Sequence, residues 1–148
     1  MNYQRSTRYA LYSALEMART SGERPVTAAE IAQKYGLPPA ALAKVIQRLV
    51  RAGLATGTRG IAGGYRLARR PDQVTVLEVV EIFESPRLPG DCLLDQCGEE
   101  CRHFSDCRLR HLFDEVDEQV RATFASVTLA TLLAPRQPLL VVLPGARG

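Results

Sequence analysis

"LPPAALAKVIQRLVRAGLATGTRGIAGGYRLARRP", residues 37–71, decides the fold. Its first half has Leu42, Val45, Ile46 and Leu49 at three- and four-residue steps, the spacing of one buried helix face. Pro38 and Pro39 suit the first turn of that helix, where a missing amide costs little, and Gly53 is a natural stop. Lys44, Gln47, Arg48 and Arg51 fall mostly on other sides. The second half gives two short strand candidates, residues 54–58 and 65–68, separated by Gly60, Gly63 and Gly64, which permit a tight reversal.

Upstream, "TAAE" matches a capping box, with Thr27 opening a short helix and Glu30 reaching back; Gly36 ends that helix. Two short helices across a glycine turn form a helix-turn-helix, and a glycine-rich hairpin after them makes it winged. A helix of this kind enters the major groove of DNA, and an Arg on a narrow projection such as Arg59 suits a minor groove. Arg66, Arg69 and Arg70 sit at the base of the wing. Further upstream, Leu11, Ala14, Leu15 and Ala18 predict a helix over residues 3–20.

Charge divides along the chain. Residues 1–70 carry twelve Lys and Arg against three acidic residues; residues 71–148 carry seven Arg against thirteen. The basic half points to phosphate as its partner, against the plainer alternative of a solvated basic face. At 148 residues and 46% hydrophobic composition the chain can bury a core, and no apolar run approaches the roughly 20 residues that span a bilayer. The start does not resemble a signal peptide, so a cytoplasmic protein with reduced thiols is expected.

In the acidic half, "TVLE" is a second capping box, with Thr75 and Glu78, ahead of a short helix bearing Val76, Val79, Val80 and Phe83. Leu109, Leu112, Phe113, Val116, Val120, Phe124 and Val127 predict a long amphipathic helix reaching about Leu133, with a stripe long enough to pair with a second copy. Between these helices lie all four cysteines, Cys92, Cys97, Cys101 and Cys107, spaced C-x4-C-x3-C-x5-C. Such a loop can wrap one soft metal centre; spacing leaves an iron–sulfur cluster and zinc nearly level, with disulfides as a further alternative. No constellation of a catalytic nucleophile with its base is visible, so no enzyme is expected. The segment "PRQPLLVVLPGARG" has an apolar run between Pro138 and Pro144 and suggests no function.

"YALYSALEMA", "LAKVIQRLVRAGL", "TRGIAGGYRLAR" and the late cysteine cluster before a helix together resemble the IscR/NsrR family, also called the Rrf-two family. The resemblance reaches from the start to about Leu133, and Arg59–Tyr65 is its most specific part. It implies a mainly α fold with a small β-wing, a winged helix-turn-helix joined to a long C-terminal dimerisation helix. It also implies a homodimeric regulator that binds double-stranded DNA and senses redox state, nitric oxide or iron–sulfur supply. The expected organisation is a DNA-binding domain over residues 1–85, a cysteine-rich loop over 86–107, the dimerisation helix over 108–134 and a tail over 135–148.

The DNA-facing candidates are Thr27, then Pro39, Ala40, Lys44, Gln47, Arg48 and Arg51 on the recognition helix, and Arg59, Gly60, Gly63, Gly64 and Tyr65 in the wing. The cluster, two-iron or four-iron, is expected on Cys92, Cys97, Cys101 and Cys107, with His103 or His111 in reserve; zinc is the lesser alternative. Family members commonly use three cysteines; Cys101 and Cys107 fit two of those places, and either Cys92 or Cys97 the other. The chain departs from known ligand sets at Arg110, where some members place a His, and at Arg8, near where others place an acid. A zinc- or thiol-based regulator without a cluster, or a metal- or electron-delivery protein, is the alternative reading.

Overall fold

The computed structural model describes residues 2–85 and 106–135. The element order is α1 (Arg5–Arg19), α2 (Ala28–Tyr35), α3 (Pro39–Arg51), β1 (Ala55–Thr58), β2 (Gly64–Leu67), a 3-10 turn (Pro71–Gln73), α4 (Val76–Phe83), α5 (Arg108–Ser126) and α6 (Leu129–Leu133). The mainly α architecture with a two-stranded antiparallel wing is the one the sequence predicts.

α1 is the central post. Ala10, Ala14 and Met17 on it are fully buried, and α2, α3, α4, α6 and β2 all pack against it. Small residues at positions 10 and 14 let the neighbouring helices approach closely. The α3 stripe supplies the facing surface, with Leu42, Ile46 and Leu49 at 0% exposure. Removing such apolar area from water contributes about 1.5–3 kcal/mol per side chain. Gln4 supplies no side-chain cap to α1. Glu84, just past α4, substitutes for it: its carboxylate accepts the Gln4 amide at 2.8 Å and the Thr7 hydroxyl.

Both capping boxes form. Thr27 Oγ1 accepts the Glu30 amide at 3.2 Å while Glu30 Oε2 accepts the Thr27 amide at 2.8 Å. Thr75 and Glu78 repeat the same exchange at 3.2 and 2.8 Å. Glu16, nearly buried, binds α1 to α2 by accepting Lys34 Nζ at 2.8 and 2.7 Å and the Tyr35 hydroxyl at 3.0 Å. Burial pushes the Glu16 carboxyl up, but these donors outweigh it and the net direction is down.

The C-terminal helix corrects the sequence-based expectation. It does not run to Leu133 but ends at Ser126, and the five-residue α6 follows. Val127 is extended, and the chain returns to the body through a bridge between Thr75 and Thr128. Val127 O accepts the Val76 amide and Val74 O accepts the Leu129 amide, both at 2.9 Å. Thr128 caps α6 by accepting the Thr131 amide at 3.1 Å, and Leu129 reaches the core at 0% exposure. Burying Leu129 and satisfying these amides outweighs continuing a solvent-exposed helix.

Candidate nucleic-acid interface

The α2–α3 turn is set by Gly36, whose left-handed backbone (φ 62°, ψ 36°) lets Leu37 N–H reach back to Ala32 O at 2.9 Å. Pro38, extended, then starts α3 without an amide to satisfy. At 100° per residue, burying Leu42, Val45, Ile46 and Leu49 turns Ala40, Lys44, Gln47 and Arg51 directly outward, and all four are exposed. These residues form one straight stripe of two cations, an amide and a small residue. Pro39, also exposed, stands at its N-terminal end.

Arg48 stands apart from that stripe. It is exposed, but its guanidinium lies 4.8 Å from the centroid of the nearly buried Phe83 ring at the end of α4. The contact fastens the flank of α3 to α4 by a cation–π interaction.

The wing pairs Ala55 with Leu67, Thr56 with Arg66, Gly57 with Tyr65 and Thr58 with Gly64. A second set of backbone bonds anchors it to the start of the helix-turn-helix: Val26 N–H to Tyr65 O at 3.0 Å and Tyr65 N–H to Val26 O at 2.8 Å. This anchoring explains the paired glycines. A Cβ on Gly63 would lie 2.3 Å from Thr58 O, and one on Gly64 would lie 2.8 Å from Val26 O. Gly63, Gly64 and Tyr65 therefore build the wing from within and are half-buried, whereas Arg59 and Gly60 stand exposed at its tip.

Between the wing and the start of α2 runs a groove lined by Arg24, Thr27, Glu30, Thr58, Gly63 and Arg66, among others. The Thr27 hydroxyl there is engaged in its cap. Arg24 donates to Glu30 at 2.6 Å. The Arg24 guanidinium first, and the Thr27 amide and hydroxyl next, hold the Glu30 carboxyl down to about 2. Arg24 and Thr58 were not among the residues singled out from the sequence. The signal for Arg24 was its place three residues ahead of the capping-box Thr27.

Cys107 is the N-cap of α5 and half-buried. Cys92, Cys97, Cys101 and His103 lie outside the described residues. His111 is exposed one turn into α5, its amide donating to Cys107 O at 3.2 Å, and Arg8 is exposed on α1. Among the described residues no group of three metal-ligating side chains converges, and no helix is long and apolar enough to cross a membrane.

A helix-turn-helix with an outward basic stripe and an anchored wing defines the winged-helix class of DNA-binding transcription regulators. Residues 3–135 match the Rrf2 family, described as an iron-dependent transcriptional regulator, and the chain belongs to that family. Among curated proteins it is 38% identical over 133 residues to the HTH-type transcriptional regulator BadM of Rhodopseudomonas palustris, covering 90% of this chain and 81% of the relative. It is 30% identical to CymR of Bacillus subtilis, covering 84% of each chain. It is 29% identical to IscR of Xenorhabdus nematophila, covering 89% of this chain and 79% of the relative. The fold matches the solved structure of B. subtilis CymR, a global cysteine regulator, at a TM-score of 0.74 and 27% identity, covering 89% of this chain and 95% of that one. These relatives are regulators, and the chain is a transcriptional regulator and not an enzyme.

Proposed function

We propose that the chain acts as a homodimer on double-stranded DNA, with an affinity set by an iron–sulfur cluster held by thiolates of the 92–107 segment. The observation that carries the DNA-reading part is the bare outward stripe Ala40, Lys44, Gln47 and Arg51 beside a wing tip bearing Arg59. Lys44, Gln47 and Arg51 would face base edges and phosphates of a major groove, and Arg59 an adjacent minor groove.

Pairing is supported by α5, which leaves Leu109, Leu112, Phe113 and Val116 at 60, 52, 41 and 42% exposure on one face. A second copy covering that face would place two recognition helices against half-sites about 34 Å apart.

The sensing part rests on the chemistry of the donor set and on the iron-dependent description of the family. Four thiols within sixteen residues fit a soft metal centre in kind. Cys107 lies at the N-terminal end of α5, where helix amides favour an anionic group. When bound, the cluster supplies a redox-active, iron-dependent tie. The chain's own residues carry the consequence inward. α5 is joined to α4 by Arg121 and Glu81 at 2.5 Å, and to the start of the chain by Tyr3 and Phe124, whose ring centroids lie 5.9 Å apart. α4 in turn holds α3 through Phe83 and Arg48. A coupling of about 1–3 kcal/mol along this route corresponds to a 5- to 150-fold change in affinity.

Anaerobic purification with visible absorption and iron, sulfide and zinc analysis tests the sensing reading. Stoichiometric iron and sulfide, with DNA affinity differing between loaded and stripped protein, is the expected result. A colourless, zinc-loaded protein, or one whose DNA affinity ignores its metal content, would refute it. The likeness to B. subtilis CymR gives a cluster-free thiol regulator as the second reading, and Cys→Ala variants that alter DNA binding in metal-free protein would favour it.

A further inference from the structure

The tip of the wing carries a residue that the fold does not use. Gly63 N–H donates to Gly60 O at 2.9 Å, closing a turn whose two corner residues are Ile61 and Ala62. Ile61 is 110% exposed, the most exposed of the large apolar side chains described. A solitary exposed apolar residue on a protein surface is ordinary. This one is unusual on two counts. Corner positions of tight turns favour Gly, Asn, Asp, Ser and Pro, and a β-branched residue has no local reason to be there. It also stands in the turn at the tip of the wing, two residues from the exposed Arg59, and shares the lining of one groove with Arg24 and Arg66.

The flanking glycines make the tip slender. Gly60 adopts a positive φ of 109°, and Gly63 has no room for a side chain. The hairpin therefore narrows to two glycines flanking a small corner residue, Ala62, and one branched apolar side chain, Ile61. A B-DNA minor groove is about 6 Å wide, which suits a slender basic hairpin, and apolar side chains entering it wedge between base steps and bend the duplex.

Resting on the reading of the chain as a DNA-binding protein, we propose that Ile61 is the apolar wedge of the wing. It enters the minor groove beside Arg59 and selects deformable pyrimidine–purine steps. Arg59 supplies attraction to the groove, and Ile61 supplies a preference for where the groove will open. The base preference it creates is indirect, carried by the cost of bending each sequence.

The test uses the full-length protein and a duplex recovered by selection from a random library. Affinity, its salt slope and the bend angle by end-to-end fluorescence transfer are read for the wild type, Ile61→Ala, Ile61→Lys and Arg59→Ala. Ile61→Ala should bind that duplex about tenfold more weakly, with a smaller bend and an unchanged salt slope. Ile61→Lys should steepen the salt slope without restoring the bend. Arg59→Ala should flatten the slope by about one per protomer. Because Ile61 is fully exposed, its substitution leaves the fold intact, which circular dichroism checks. Wild-type affinity and bend in Ile61→Ala would overturn the wedge, as would full rescue of the bend by Lys. If the wild type itself recovers no duplex, the DNA reading fails, and the wedge with it.

Discussion

Lys44 and Arg48 are four residues apart on the same helix, yet their surroundings differ. Lys44 points outward in the stripe, whereas Arg48 covers the Phe83 ring. Arg48→Ala should therefore lower unfolding stability by about 0.5–1 kcal/mol and leave the salt dependence of DNA binding almost unchanged. Lys44→Ala should do the reverse, preserving the melting temperature while reducing the salt slope by about one per protomer. Thermal melts and salt titrations of the two variants distinguish these outcomes, and exchanged phenotypes would contradict the placement. Glu30 is the other residue with a sharp signature. Its carboxyl is depressed from 4.5 to about 2 by Arg24 and the Thr27 cap. A depressed folded value means its stabilising contribution is complete above about 4.5 and disappears as pH falls through about 2. Side-chain NMR of Glu30 should show that late titration, and Thr27→Ala should raise it while costing about 1 kcal/mol of stability through loss of the cap. A carboxyl titrating at 4.5 in the intact protein would contradict the geometry.

At the scale of elements, the wing depends on backbone crowding and α5 presents a partly exposed apolar face. Gly63→Ala cannot fit without moving Thr58 or Gly60, because the added carbon meets backbone atoms at 2.3 and 2.8 Å. It should distort the wing and reduce DNA affinity strongly while helix content persists in circular dichroism. Val116→Asp puts a charge in the middle of the exposed apolar face and should convert a dimer to monomers in sedimentation analysis, with DNA affinity falling in step. A monomeric wild type would remove the basis of that expectation. α2, α3 and α4 were legible in the sequence because each has both a periodic stripe and a boundary residue, Thr27 and Gly36, Pro38 and Gly53, and Thr75; α1 was legible from its stripe alone. The break at Val127 was not, since Val127 continues the apolar period and the cap at Thr128 acts only once Leu129 has a core to enter. Position along the chain likewise could not separate wing residues that touch solvent from those that build the hairpin. The sequence motif groups Gly63, Gly64 and Tyr65 with Arg59, and their close contact with Thr58 and Val26 emerges only in three dimensions. The contact of Arg48 with Phe83, 35 residues away, is likewise visible only in the folded chain.

The whole molecule couples a basic half that presents α3 and the wing to an acidic half that carries the cysteines and α5. The division gathers the net positive charge in the half that carries α3 and the wing and places α5, with its partly exposed apolar face, in the half of opposite charge. In the proposed function a displacement of α5 would pass to α3 through the Glu84 clasp on α1, the Arg121–Glu81 pair and the Arg48–Phe83 contact. Selection of duplexes from a random library by the full-length protein asks whether α3 and the wing read DNA sequence. The expected result is an enriched inverted repeat whose half-sites lie about one helical turn apart, bound with a steep inverse dependence on salt and lost in a Lys44→Ala, Gln47→Ala, Arg59→Ala variant that remains folded. No enriched sequence from either metal-loaded or metal-free protein, or an enriched sequence that the triple variant binds as well as the wild type, would contradict it.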